Sequence, residues 1–168
     1  MIPIILIIIS LLLDGVLTNY LPYLVNNLSW FTPLFTVVII FILYPFFRKK
    51  EKKYFLLIFL LGILYDLLYT NLLFWNALIF LFIALLSKYL YKNLEVTPIK
   101  LVLYTIIIIV AYESLNACII VIFQLVPITL EKLLYKISHT LLINIIYMEI
   151  IYFILKIIPK KYKKISIN

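Results

Sequence analysis

Long apolar runs separated by short polar patches make up almost the whole chain. Residues 1–47 contain a single charged side chain, Asp14. As one helix they would measure ~70 Å, against the ~30 Å hydrocarbon core of a bilayer, so the run must turn back. The patch "NNLSWFTP" (26–33) supplies the turn, and Pro33 suits the start of the helix that follows. After "RKKEKK" (48–53) a second run, 54–91, carries only Asp66 and Lys88. At ~57 Å it also crosses twice, turning near "YTNLLFW" (69–75). A polar break, "KNLEVTPIK" (92–100), precedes a fifth span over 101–126. The segment "PITLEKLLYK" (127–136) reads as a short connection lying in the interface, and a sixth span covers 137–158. The pattern predicts an all-α integral membrane protein. It is a single domain over 1–168, a six-transmembrane-helix bundle with spans near 2–22, 31–47, 54–70, 73–91, 101–126 and 137–158.

Composition agrees with that solvent. The 168 residues are 67% hydrophobic and 13% charged, with a mean hydropathy of +1.20. Soluble domains run at about 45–50% apolar and about 25% charged. The formal charge of +8 therefore sets topology rather than attracting nucleic acid. Six spans put Arg48, Lys49, Lys50, Lys52, Lys53, Lys88, Lys92, Lys100, Lys156, Lys160, Lys161, Lys163 and Lys164 on one side. That is thirteen of the fifteen basic residues, leaving Lys132 and Lys136 on the other. The positive-inside rule then predicts both termini in the cytoplasm. The first run has Asp14 inside it and lacks a basic leader and an A-x-A site, so it reads as a retained helix rather than a cleaved signal peptide. A single cysteine, Cys118, excludes an internal disulfide and a cysteine-based zinc site.

The candidate chemistry lies in polar residues within the spans. A carboxylate at a helix centre costs ~2.5–3.5 kcal/mol on insertion scales, so such groups are expected to face the bundle interior. Ser10, Asp14 and Thr18 share one face of the first helix, and Gly62, Asp66 and Thr70 share one face of the third. "SLLLDGVLTN" and "GILYDLLYTN" thus form a weak internal repeat of two hairpins. Asn76, Ala84 and Ser87 align in the fourth helix. Glu113, Asn116 and Gln124 make a polar stripe in the fifth. In the sixth, Ser138 and Glu149 are in phase and Asn144 is not, while His139 stands alone near the outer end. Asp14, Gly62, Asp66, Asn76, Glu113, Asn116 and Glu149 are the candidate packing or cavity residues. They can hold helices together through hydrogen bonds, with a protonated carboxyl donating to a neighbour. They can also line a ligand cavity or an ion path, although no Lys, Arg or group of His lies deep in a span to serve one. No catalytic residue is assigned. "LYD" lacks the Gly-x-Gly-Asp partner of an intramembrane aspartyl protease, and with only Gly15 and Gly62 no phosphate or oxyanion loop can form. No metal or cofactor is expected.

The stretch "GILYDLLYTNLLFWNALIFLFIALLSKYL" (62–90) resembles the third and fourth helices of the rod shape-determining MreD family, matching at Gly62, Asp66, Asn76, Ala77 and Leu78. Phe74-Trp75 stands where members commonly have a glycine before the Asn, and the proline often found in that turn is missing. The resemblance implies a non-enzymatic membrane component of the bacterial cell-elongation machinery, located in the cytoplasmic membrane. It would act with an MreC-like bitopic protein and, through it, with MreB-like filaments, a RodA-like glycosyltransferase and a penicillin-binding transpeptidase. The family is similar in architecture to the substrate-binding subunits of energy-coupling-factor transporters, so the alternative is a vitamin- or metal-transporter subunit. Against that alternative, the A-x-x-x-A face common in the first helix of those subunits is absent. Gly15 and Gly62 mark where a partner's helix could approach closest, with packing inside the bundle as the other use of both glycines. The basic segments 48–53 and 160–164 are expected to hold anionic lipid.

The topology has a direct test. In a Cys118→Ser background, single cysteines at Asn27, Asn71 and Lys132 should react with an impermeant thiol reagent from outside the cell. Cysteines at Lys50, Glu95 and Lys163 should not, and external labelling at Lys50 would refute the six-span arrangement.

Overall fold

A computed structural model describes residues 2–24, 32–70, 72–93, 97–124 and 129–157. Most of the expected first turn (26–31), Asn71, residues 94–96 and 125–128, and the basic tail from 158 onward lie outside the described residues. Six helices and no strand occur among the described residues: α1 (Ile2–Leu24), α2 (Phe35–Phe47), α3 (Glu51–Tyr69), α4 (Trp75–Asn93), α5 (Pro98–Ile122) and α6 (Leu130–Ile157). Four of them contain stretches long and apolar enough to cross a membrane: Pro3–Tyr20, Trp75–Lys92, Pro98–Ile122 and Leu130–Ile157. The chain is a helical, multi-pass membrane protein.

The other two helices depart from the expected spans. α2, expected over 31–47, has 13 residues, ~20 Å of helix, less than a full crossing. Every residue from Phe35 to Tyr44 is buried, the mark of a helix that is apolar all round because protein surrounds it. α3 starts at Glu51, one turn earlier than expected, and so takes Lys52 and Lys53 into its first turn. An acid there suits the positive end of the helix dipole. Glu51 also lies 2.6 Å from Lys88 Nζ and accepts the Tyr44 hydroxyl at 3.0 Å. Those hydrogen bonds, Lys88 first, hold its carboxyl below the ordinary glutamate range. Leu56, Leu60, Leu64 and Leu67 of α3 are exposed, an apolar outer face continuous in character with that of α1.

α5 begins earlier than its expected 101 because Pro98 occupies the first helical turn, with Thr97 accepting the Lys100 N–H on its side chain. It also ends earlier than 126: Gln124 has a left-handed backbone, φ 52°, which stops the helix and removes Gln124 from the polar stripe expected with Glu113. α6 begins at Leu130 rather than 137. The Thr129 hydroxyl accepts the Lys132 N–H at 3.3 Å, so most of the expected interfacial connection is helix. Its charged residues, Glu131, Lys132 and Lys136, simply occupy helical positions between apolar ones.

The helices are arranged around α2. It packs against α1, α3, α4, α5 and α6, while α3 packs on α4, α4 on α5, and α5 on α6. The core joins Val38, Ile39, Ile40 and Phe41 of α2 to Ile58, Phe80, Ile83, Ile108 and Ile109 of its neighbours. At the Glu51 end, Tyr44, Tyr54, Tyr91 and Phe41 form an aromatic cluster. The fully buried Tyr54 donates its hydroxyl to Ile40 O at 2.8 Å, which ties α3 to α2.

Both glycines are consumed inside this packing. A side chain on Gly62 would run into the Ala77 backbone, with Ala77 N only 2.8 Å from its first carbon; one on Gly15 would meet the ring of Tyr69. The room these glycines leave is filled by α4 and by Tyr69, so a docking helix would have to meet other residues, against the expectation of a partner contact at Gly15 and Gly62. The obstacles differ in kind. Ala77 presents fixed backbone, whereas Tyr69 presents the far end of a movable side chain. Gly62→Ala is therefore expected to destabilise by about 1–3 kcal/mol, the usual cost of overpacking, and Gly15→Ala by less. Thermal unfolding of both variants in the same detergent checks this order; the reverse order would mean that the α3–α4 contact relaxes freely.

Candidate functional site

Two buried aspartates each hold the start of the following helix. Asp14, on the inner face of α1, accepts the Phe35 N–H on Oδ1 at 2.7 Å and the Thr36 N–H on Oδ2 at 2.8 Å. These are first-turn donors of α2, which have no partner within their own helix. Asn144 of α6 accepts the preceding N–H, that of Leu34, at 2.8 Å and donates to Thr32 O at 3.0 Å. Three consecutive N–H groups at the sealed end of α2 are thus met by side chains from two other helices. The carboxyl group also sits at the positive end of the α2 dipole.

Asp66 repeats the device in the second hairpin. Its carboxylate accepts the Asn76 N–H at 3.0 Å, the Asn76 side-chain amide at 2.9 Å, the Thr70 hydroxyl at 3.1 Å and, more weakly, the Ala77 N–H at 3.4 Å. Asn76 in turn accepts the Tyr112 hydroxyl from α5 at 2.9 Å. The connection into α4 passes through Phe74, whose φ of 68° is in the region that favours glycine. That is the turn in which the sequence carries Phe74-Trp75 in place of a glycine. The backbone and amide partners of both aspartates are donors, so both carboxyls serve here as acceptors.

Further contacts link the remaining helices near the same level. Trp75 Nε1 donates to Asn116 Oδ1 at 2.8 Å, joining α4 to α5. Glu113 of α5 pairs with Lys136 of α6 at 2.7 Å. Ser10 of α1 and Tyr147 of α6 share a 2.6 Å hydrogen bond, and Tyr69 of α3 donates to Leu11 O of α1 at 2.7 Å. Followed around the bundle, these contacts close a ring α3–α4–α5–α6–α1–α3, with α2 tied to it through Asp14 and Asn144.

The structure therefore brings Asp14, Asp66, Asn76, Glu113 and Asn116 into one polar girdle. Gly62 supports it as the close α3–α4 contact. Glu149 does not join: it is exposed on α6 beside a shallow groove with Pro98 and Met148, because the buried face of α6 runs through Thr140, Asn144, Tyr147, Met148 and Ile151. Asn144, read from the sequence as out of phase, is the fully buried one. The spacing 140, 144, 147, 151 carried that signal, and anchoring the phase on Ser138 and Glu149 obscured it. Tyr69, Tyr112 and Tyr147 also join the girdle, which the sequence does not signal, since tyrosine in an apolar run reads as bulk rather than as a donor.

Chemically the girdle is a network of donors and acceptors across helices in which Thr36 Oγ1 and Glu113 Oε1 are buried without a hydrogen-bond partner among the described residues, and among the described residues no group of three side chains suits a metal ion. A family model described as the rod shape-determining protein MreD matches residues 1–162 of the chain. No curated protein and no solved structure matches it.

The acceptor role of Asp66 predicts a graded response. Asp66→Asn keeps one acceptor oxygen but turns an amide toward donors, and is expected to lose about 1–3 kcal/mol. Asp66→Leu leaves the first N–H groups of α4 and the Asn76 amide without this partner and should lose more. Denaturation of the purified variants in detergent checks the order wild type, Asn, Leu; equal stability of wild type and the Leu variant would refute the capping role.

Proposed function

The chain belongs to the MreD family of rod shape-determining proteins, and from that premise we propose that it is a non-enzymatic membrane scaffold of the bacterial cell-elongation machinery. It lies in the cytoplasmic membrane with six membrane helices, of which α2 is the short one enclosed by the others, and with both termini in the cytoplasm. There it assembles with an MreC-like bitopic protein and so influences peptidoglycan synthesis by a RodA-like glycosyltransferase and a penicillin-binding transpeptidase, in register with MreB-like filaments. The observation that carries this reading is the family match across 1–162. The physical character of the bundle supports it. Most of its interior polar groups bond one helix to another, which suits a part whose work is to present a fixed surface.

With little chain outside the helices, such a scaffold contacts its partners largely within the bilayer or at its edges. Lipid competes there for apolar faces, so recognition rests on shape and close packing. α1 offers one such face in Ile4, Ile5, Ile8, Ile9 and Leu12, all exposed.

Supplying this chain to rod-shaped bacteria depleted of their own family member should restore rod shape, and gentle purification should recover an MreC-like protein with it. Asp14→Leu, which removes the cap on α2, should reduce both folded yield and shape rescue. Recovery of an ATPase-coupling subunit in place of an elongation protein would overturn the scaffold reading in favour of the transporter subunit.

A further inference from the structure

Glu113 is the one girdle carboxylate whose donors are incomplete. Its side chain is 1% exposed, and Oε2 lies 2.7 Å from Lys136 Nζ. Oε1 is buried and has no hydrogen-bond partner among the described residues. Leaving a buried charged acceptor unpaired costs more than leaving a neutral one, so this oxygen marks a place for a donor from outside the chain. Glu113 borders a cleft of ≈ 130 Å³ between α5 and α6, which Lys132 and Lys136 also line. That is room for about four waters at ~30 Å³ each, enough for a small polar group and well short of a drug-sized ligand at about 300 Å³ or more.

We propose that this cleft binds the headgroup of an anionic phospholipid that carries free hydroxyls, of the phosphatidylglycerol type. Beyond the Glu113–Lys136 pair, Lys132 leaves the lining of the cleft with an excess positive charge, which favours an anion. The phosphodiester takes Lys132 and Lys136, a glycerol hydroxyl donates to Glu113 Oε1, and Ala117, Ile120 and Leu133 provide the apolar wall. Beside the cleft, Val121, Ile122 and Leu134 are exposed and give the acyl chains a path along the outside of α5 and α6. A choline headgroup has no N–H or O–H to give Glu113. This site is also separate from the basic segment 48–53, which lies at the other end of the bundle beside the Glu51–Lys88 pair.

Trp75 provides a reporter, since its indole N–H is bound to Asn116, a cleft residue. The chain has only two tryptophans, so Trp30→Phe isolates its emission. The full chain in neutral detergent is titrated with phosphatidylglycerol, phosphatidylcholine or soluble glycerol phosphate, and native mass spectrometry counts the lipid retained. The expected result is saturable binding of phosphatidylglycerol alone, weakened about fivefold by Lys132→Gln, the loss expected for one lysine at a headgroup. Lys132 is exposed, so that variant should fold; its thermal unfolding is checked alongside. Lys52→Gln with Lys53→Gln, at the opposite end, should leave binding unchanged. Equal binding of phosphatidylcholine, an unchanged affinity in a folded Lys132→Gln variant, or no retained phosphatidylglycerol by either readout would overturn the site. Saturation by glycerol phosphate at the same concentration would overturn its assignment to a lipid.

Discussion

The carboxylate of Asp14 against the first N–H groups of α2 is the contact on which the rest of the bundle depends. α2 begins inside the protein, where Leu34, Phe35 and Thr36 are nearly or wholly inaccessible. Water cannot satisfy their N–H groups, and lipid offers no acceptor. Each left unpaired would cost about 1–3 kcal/mol, on the scale of a substantial part of a domain's net stability. Asp14 and Asn144 remove that cost for three consecutive donors. They thereby allow a short helix to occupy the centre, and because α2 packs on all five other helices, its placement sets theirs.

The same solution appears in the second hairpin, in which Asp66 reaches the start of α4. Both aspartates lie on the first helix of a hairpin, and each caps the second helix. This gives physical content to the weak repeat between "SLLLDGVLTN" and "GILYDLLYTN". The third hairpin varies the theme: Glu113 of α5 meets a lysine side chain of α6 rather than backbone N–H groups. Since Thr129 already accepts an N–H in the first turn of α6, the acid of this hairpin is released from capping. One of its oxygens is left without a hydrogen-bond partner among the described residues, which sets Glu113 apart from Asp14 and Asp66.

Much of this was legible in the residues. The apolar runs located six helices, and the cost of burying an acid turned Asp14 and Asp66 inward. The pairing of Asp66 with Asn76 across a tight turn followed from their places on consecutive helices. What the sequence did not reveal depends on partners far along the chain. The length of α2 is limited by Asp14 and Asn144, 21 and 110 residues from the donors they meet, and no local pattern encodes such a stop. Glu149 was drawn inward by the general cost of a buried acid, yet α6 keeps it at the surface and buries Asn144 because Asn144 serves both Leu34 and Thr32. The glycines were ambiguous for a similar reason: small residues permit close approach without specifying which helix makes it.

A polar interior of this kind bears on how a protein built almost wholly of membrane helices can recognise partners. Apolar helix faces gain little by leaving lipid for protein, so the exterior of the bundle cannot choose its own arrangement through burial. Individual interhelical hydrogen bonds contribute only about 0.6 kcal/mol on average, and their larger effect is to penalise registers in which a donor or acceptor is stranded. A one-residue slip of α2 would strand donors now met by Asp14 and Asn144, and a shift of α4 would separate Asn76 from both Asp66 and Tyr112. The girdle therefore fixes which apolar side chains stand outward and at what height. A fixed exterior is what shape-based recognition inside a bilayer requires, and on the scaffold reading proposed above that is what the buried acids of this chain would serve.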